Sequence, residues 1–141
     1  MTYNPNVTPI NEFPSQETAN SVLKWWMDKL CMNDWIISVS VVQKEDMSEP
    51  ERSGEISMFF ESKEAAIRIL NPKCYPQEAI TKYCAELFLV HELLHTRYNW
   101  LVCENTYEGK YVDEMEHQNL DQMAKTLIMV KYNLPLEWFC N

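Results

Sequence analysis

The 141 residues suffice for one domain with a substantial hydrophobic core and are too few for two. Hydrophobic side chains make up 46% of the chain and only two residues are glycine, which excludes a disordered or collagen-like polypeptide. The net charge of −9, with no clustering of Lys and Arg, argues against nucleic acid or an anionic membrane surface as the main partner.

The five cysteines, Cys31, Cys74, Cys84, Cys103 and Cys140, are odd in number and lack CxxC spacing. They read as reduced intracellular thiols and not as a disulfide framework or a cysteine zinc site. Met1 to Pro14 is polar and proline-punctuated, without the basic start and apolar run of a signal peptide. No segment approaches the roughly 18 apolar residues that span a bilayer. A cytoplasmic protein with no membrane partner is therefore expected.

In chain order, residues 1–14 read as an N-terminal extension and 15–141 as a single domain. Ser15 precedes an acidic first turn, and Ala19, Val22, Leu23, Trp26 and Leu30 recur at helical spacing, predicting a helix of about four turns. Trp35 to Val42, rich in Trp, Ile and Val, predicts a half-buried strand. The charged, proline-containing stretch Gln43 to Ser53 predicts an exposed loop, followed by short strands at Glu55 to Glu61 and Ala65 to Leu70. Past Asn71-Pro72 and Pro76, a second helix is expected from near Gln77 to about Asn99, with Ile80, Cys84, Leu87, His91, Leu94 and Tyr98 inward. Asn99 to Lys110 contains Gly109 and predicts a loop. A last helix from about Val112 to Tyr132 should bury Leu120, Met123, Ala124, Leu127 and Ile128, and after Pro135 the pair Trp138 and Phe139 should cover part of the core. The eight methionines are scattered and read as core filler. The predicted fold class is α+β: an N-terminal helix, a small three-stranded sheet and two further helices.

The second helix carries His91-Glu92-Leu93-Leu94-His95. Histidines four apart on a helix lie one turn above one another, so both imidazoles can reach one ion, and the intervening glutamate leans toward the same side. Hydrolytic Zn²⁺ needs neutral nitrogen ligands, an open position for water and a carboxylate to take that water's proton. His91 and His95 are the candidate ligands and Glu92 the candidate general base.

A tetrahedral catalytic site needs a third protein ligand. The remaining histidine, His117, lies 22 residues past His95 in the last helix, beside the rivals Asp113 and Glu116. All three bracket that helix's apolar face, so periodicity does not choose between them. Asp121, one turn past His117, stands where a carboxylate could hold the free ring nitrogen of a liganding histidine and fix its tautomer. Glu116 has Leu120 in that place, so chemistry favours His117, with a His₂Glu set using Glu116 as the alternative. Cys103 is a more distant candidate.

These residues resemble the zincin metallopeptidases, and most closely the small gluzincin-like domains of phages and mobile elements. The resemblance rests on Val90-His91-Glu92-Leu93-Leu94-His95, on Glu116-His117-Gln118-Asn119-Leu120-Asp121, and on the order of elements over nearly the whole chain. It implies a minimal zincin-like domain with a motif helix and a later ligand helix. In gluzincins the later helix supplies a glutamate ligand and, four residues on, an aspartate supporting a metal histidine. Aligning Asp121 with that aspartate puts His117 where the family has Glu, leaving His₃ or a shifted His₂Glu set. The metzincin pattern is excluded, because Tyr98 and Leu101 stand where its glycine and third histidine would be. The resemblance further implies an edge strand that holds an extended peptide, here Ala65 to Leu70. Tyr98, Tyr107, Tyr111 and Arg97 are candidates for stabilising an oxyanion.

The expected function is a Zn²⁺-dependent hydrolase, a metallopeptidase acting on a peptide or protein with Glu92 as general base. A non-peptide amide is a further possible substrate. The alternative is a non-catalytic zincin-like binding or inhibitory protein with structural zinc, its acidic surface occluding a basic partner.

Overall fold

The structure, a computed structural model, describes residues 8–98 and 107–141, with side chains described for 8–97 and 114–141. The order of elements is α1 (Gln16–Lys29), β1 (Ile36–Val42), β2 (Gly54–Phe59), β3 (Glu64–Leu70), α2 (Ala85–Tyr98) and α3 (Tyr107–Tyr132). This is the expected α+β class, three helices with one small sheet.

α1 starts where expected. Ser15 caps it by accepting from Thr18 N–H at 3.1 Å, and Ala19, Val22, Leu23 and Trp26 are buried on one face. It stops at Cys31, which adopts φ 56° so that Met32 N–H reaches Met27 O at 2.8 Å, closing the last turn with a left-handed residue. α3 ends in the same way, with Asn133 at φ 54° and Leu134 N–H on Met129 O at 3.0 Å.

The strand order is β1-β3-β2, with β1 parallel and β2 antiparallel to β3. Ala65, Ile67 and Ile69 alternate inward along β3, and Ile67 lies in register with Val39 and Ile56. This row meets α1 and α2 in one core. β3 is thus the central strand, hydrogen-bonded on both sides, and the expectation that Ala65 to Leu70 is a free peptide-holding edge is corrected. Among the described residues the sheet's edges are β1 and β2.

α2 is buried on nearly every side: between Ala85 and Thr96 only Phe88 and His91 are not fully covered. It is a central core helix and not the one-sided amphipathic helix expected. Its start also differs, at Ala85 instead of near Gln77, and Ile80 is 82% exposed instead of inward. Pairings with distant parts of the chain explain the change. Thr81 bridges to Cys140, Lys82 N–H donates to Phe139 O at 2.9 Å, and Asn141 N–H donates to Ile80 O at 2.9 Å, so this stretch is drawn out along the C-terminus. The first free N–H groups of α2 are met by Asn11 O, from Ala85 at 2.8 Å, and Ile10 O, from Glu86 at 3.1 Å. Residues ahead of α1 therefore lie directly on α2.

α3 begins at Tyr107, earlier than the expected Val112, so Tyr107 to Lys110 is helical instead of loop. The rest of that predicted loop, 99–106, lies outside the described residues. Leu120, Ala124 and Ile128 are buried as expected, Leu127 is half-buried, and Met123 sits at the exposed margin. Phe139 is buried and Trp138 packs partly against the core. No described helix is long and apolar enough to cross a membrane.

Candidate metal centre

α2 and α3 pack against each other, and that contact brings the three histidines together. His91, His95 and His117 each offer a nitrogen, and these atoms lie within 4.8 Å of one another. The ring centroids are 5.3 Å apart for His91 and His95, 5.7 Å for His91 and His117, and 4.7 Å for His95 and His117. His95 is only 4% exposed, and burial pushes its pKa down from 6.5 to about 3, with His91 and His117 acting in the same direction. Burial likewise lowers His91 to about 4, against the attraction of Asp121. Both rings are therefore held neutral, the form that donates a lone pair to a cation.

Two carboxylates of the last helix, Glu116 and Asp121, lie beside these rings. Asp121 Oδ1 is 3.9 Å from His91 Nδ1, and Glu116 Oε1 is 3.7 Å from His95 Nδ1. Asp121 thus faces the first histidine of the motif while pairing with Lys125 at 3.0 Å. Glu116, the alternative third ligand, is 8% exposed and stands beside His95, outside the histidine cluster. Both separations are longer than a hydrogen bond, so each carboxylate places negative charge on the Nδ1 side of its ring and does not lock it. The donor set suits Zn²⁺, which takes imidazole nitrogen at about 2.0–2.1 Å, a distance that small side-chain rotations in a cluster of this size can reach. Of the other residues considered, Cys103 lies outside the described residues, as does the side chain of Asp113.

Glu92 faces the same cleft, which encloses about 740 Å³. Its carboxylate makes no hydrogen bond among the described residues, and its Oε2 lies 4.0 Å from His95 Nε2. Burial pushes its pKa up to about 8, partly offset by the positive charges of Arg52 and Arg68.

No family model matches this chain, and comparison with curated proteins and with solved structures finds no match either. The functional reading therefore rests on the residues themselves.

Of the oxyanion candidates, Arg97 is directed elsewhere: its Nη2 donates to Leu30 O and Cys31 O, both at 2.9 Å, at the end of α1. The side chains of Tyr98, Tyr107 and Tyr111 lie outside the described residues. Gly54, at the start of β2, was not anticipated from the sequence. A Cβ there would stand 3.2 Å from Glu92 Cγ and 3.4 Å from Glu92 Oε1, so the missing side chain is the space the carboxylate occupies. One of only two glycines in the chain, opening a strand, was the available signal, since an isolated strand glycine often marks a close approach. Gly54→Ala is expected to keep the histidine cluster and its metal affinity while displacing Glu92. Hydrolysis should fall about 10-fold or more for a shift of this kind, and unchanged turnover with a full complement of metal would refute the assignment.

The shifted groups also predict how the metal-free protein responds to pH. His91 and His95 stay neutral when folded but protonate near 6.5 when unfolded, so the unfolded chain binds more protons below that value and stability falls on acidification. Glu92 has the opposite sign: its folded pKa of about 8 lies above its ordinary 4.5, so its contribution is lost as pH rises toward 8. Two histidines outweigh one glutamate below pH 6.5, and above it only the glutamate acts. Taken by themselves these three groups contribute most near pH 6.5, while Glu86 and Lys131, also shifted by burial, add a pH dependence of their own. The share of Glu92 is therefore read by difference: relative to Glu92→Gln, the urea midpoint of the native chain in chelator should fall as pH rises from 4.5 toward 8, and a difference that stays constant with pH would contradict the assignment.

Proposed function

We infer that the protein is a zinc-dependent hydrolase, most simply a peptidase of zincin type, with His91, His95 and His117 as metal ligands and Glu92 as general base. The observation that carries this reading is Glu92: a buried carboxylate facing the cleft beside the histidine cluster, with no hydrogen bond among the described residues. A purely structural metal site has no use for such a group, whereas a hydrolase needs it.

Bound Zn²⁺ would supply a Lewis acid that polarises a substrate carbonyl and acidifies water. The chain's own residues supply the rest. Glu92 takes a proton from the attacking water and returns it to the leaving amine. Asp121 and Glu116 place negative charge beside the rings of His91 and His95, where each could support its ring once a cation is bound. Gly54 makes room for the glutamate. A peptide is the favoured substrate class, because Gly54, Ile56 and Met58 of β2 line the cleft and β2 pairs only with β3 among the described strands. Its other edge offers backbone groups for an extended chain.

Elemental analysis of folded samples tests the ligand set. The native protein should hold about one zinc, as a set of three imidazoles with an open fourth position implies, and His91→Ala or His117→Ala should lose it. Glu116→Ala should still bind, about 10–100-fold more weakly, as expected when a carboxylate supporting a ligand is removed. Loss of zinc in Glu116→Ala with full retention in His117→Ala would transfer the third position to Glu116, and no zinc in any folded sample would end the hydrolytic reading.

A further inference from the structure

One cation in the cleft has no role in the chemistry above. Arg52 ends the loop between β1 and β2 and lines the same cleft as the histidines and Glu92. Its backbone N–H donates to Glu49 O at 3.2 Å and its Nε to Glu49 Oε2 at 2.9 Å. Among the described residues these are its hydrogen bonds, so the two terminal nitrogens, Nη1 and Nη2, have no acceptor there. Two residues on, Gly54 touches Glu92, and the intervening Ser53 is fixed through its carbonyl, which accepts from Leu70 N–H at 2.8 Å. The loop end bearing Arg52 is therefore anchored next to the general base. Its positive charge is felt by both Glu92 and His95.

Arg68, the other guanidinium near Glu92, is already engaged, by Nε to Glu55 at 3.1 Å and by Nη2 to Ser57 at 2.8 Å. The partner of Arg52 is of another kind. The Glu49 side chain is 63% exposed, and a pair so open to water contributes little stability and exchanges readily. The Arg52 side chain is itself 44% exposed, and a guanidinium with a labile pair at Nε and open terminal donors matches a carboxylate, which accepts two parallel N–H groups in one plane.

We propose that Arg52 forms an anion subsite in the cleft and selects substrates that carry a carboxylate beside the bond to be cleaved. The cleavage half of this statement rests on the hydrolytic reading; the subsite itself does not. The carboxylate is either an acidic side chain or the C-terminus of a peptide. Glu49 occupies the subsite in its absence and is displaced by it.

Two measurements test the subsite. In the first, metal-free protein is titrated with succinate while the Arg52 side-chain Nε–H resonance, assigned by its loss in Arg52→Ala, is followed by NMR with succinamide as neutral control. A saturable shift with succinate alone is expected, and no shift overturns the proposal. In the second, zinc-loaded protein is titrated by calorimetry with acetohydroxamate and with the monohydroxamate of succinic acid, which adds a carboxylate. The added carboxylate should tighten binding about tenfold, the usual scale of a charge-assisted pair, with the gain lost in Arg52→Ala and partly kept in Arg52→Lys. Equal affinities, or a gain that survives Arg52→Ala, overturn it.

Zinc content of the same samples keeps the two readings apart: absent zinc removes the hydrolytic reading, and a silent Nε–H resonance removes the subsite. Binding of short peptides to Glu92→Gln then names the source. Preference for an amidated peptide with an internal aspartate indicates a side chain, and preference for an all-alanine peptide with a free C-terminus indicates the terminal carboxylate. Preference for a lysine peptide over both would show Glu49 reading the substrate and overturn the assignment.

Discussion

Glu92→Gln is expected to bind zinc as the native protein does and to lose hydrolysis by about 10²–10⁴-fold, the usual contribution of a positioned general base. The substitution is nearly isosteric, and the carboxylate it replaces makes no hydrogen bond among the described residues, so little structure depends on the charge. The metal-free variant should even gain stability above pH 8, where the native chain carries a buried carboxylate that burial disfavours. These expectations separate catalysis from folding. A variant that is folded, zinc-replete and still active would refute Glu92 as the base. A biological effect that survives both this substitution and removal of zinc would instead identify a binding protein built on the same frame.

Glu86→Ala is expected to cost about 3–5 kcal/mol, the range for removing one partner of a buried ion pair. That is a large part of the roughly 5–15 kcal/mol that typically holds a domain together. Glu86 is fully buried in the first turn of α2. It accepts from Ile10 N–H at 2.9 Å, Trp26 Nε1 at 2.9 Å, Lys131 Nζ at 2.7 Å and Tyr132 Oη at 2.7 Å. One carboxylate thus ties the N-terminal segment, α1 and the end of α3 to the helix that carries the histidines. Burial pushes Glu86 up and Lys131 down to about 7, the cost of desolvating the pair, while Lys131 also lies 3.7 Å from the Trp25 ring centroid. Alanine leaves four donors, the Lys131 ammonium among them, without this acceptor. Glu86→Gln keeps an acceptor and should cost distinctly less. Urea unfolding at constant slope ranks the two, and a loss below about 1 kcal/mol for Glu86→Ala, the level of an ordinary substitution, would show that the cluster holds nothing together.

Several features were legible in the amino-acid sequence alone. They are the α+β class, α1 with its Ser15 cap, three strands to within a residue or two, and the facing pair His91 and His95 with Glu92 between them. Each is local, set by a cap, a period of two or 3.6 residues, or an i,i+4 spacing within one helix, and local geometry repeats wherever those residues occur. Other features depended on the tertiary structure. His117 and Glu116 are neighbours about 100° apart on one helix, and only the packing of α3 on α2 turned His117 into the cluster and Glu116 toward His95. Asp121 found His91 for the same reason. Ala65 to Leu70 became the central strand, and α2 began at Ala85, because strands and helix ends take the backbone partners that distant segments offer. Gly54 and Arg52 joined the site in this way too, since the contact between β2 and Glu92 spans nearly 40 residues of chain. Periodicity reports which face of an element is buried, and carries no information about what that face will meet.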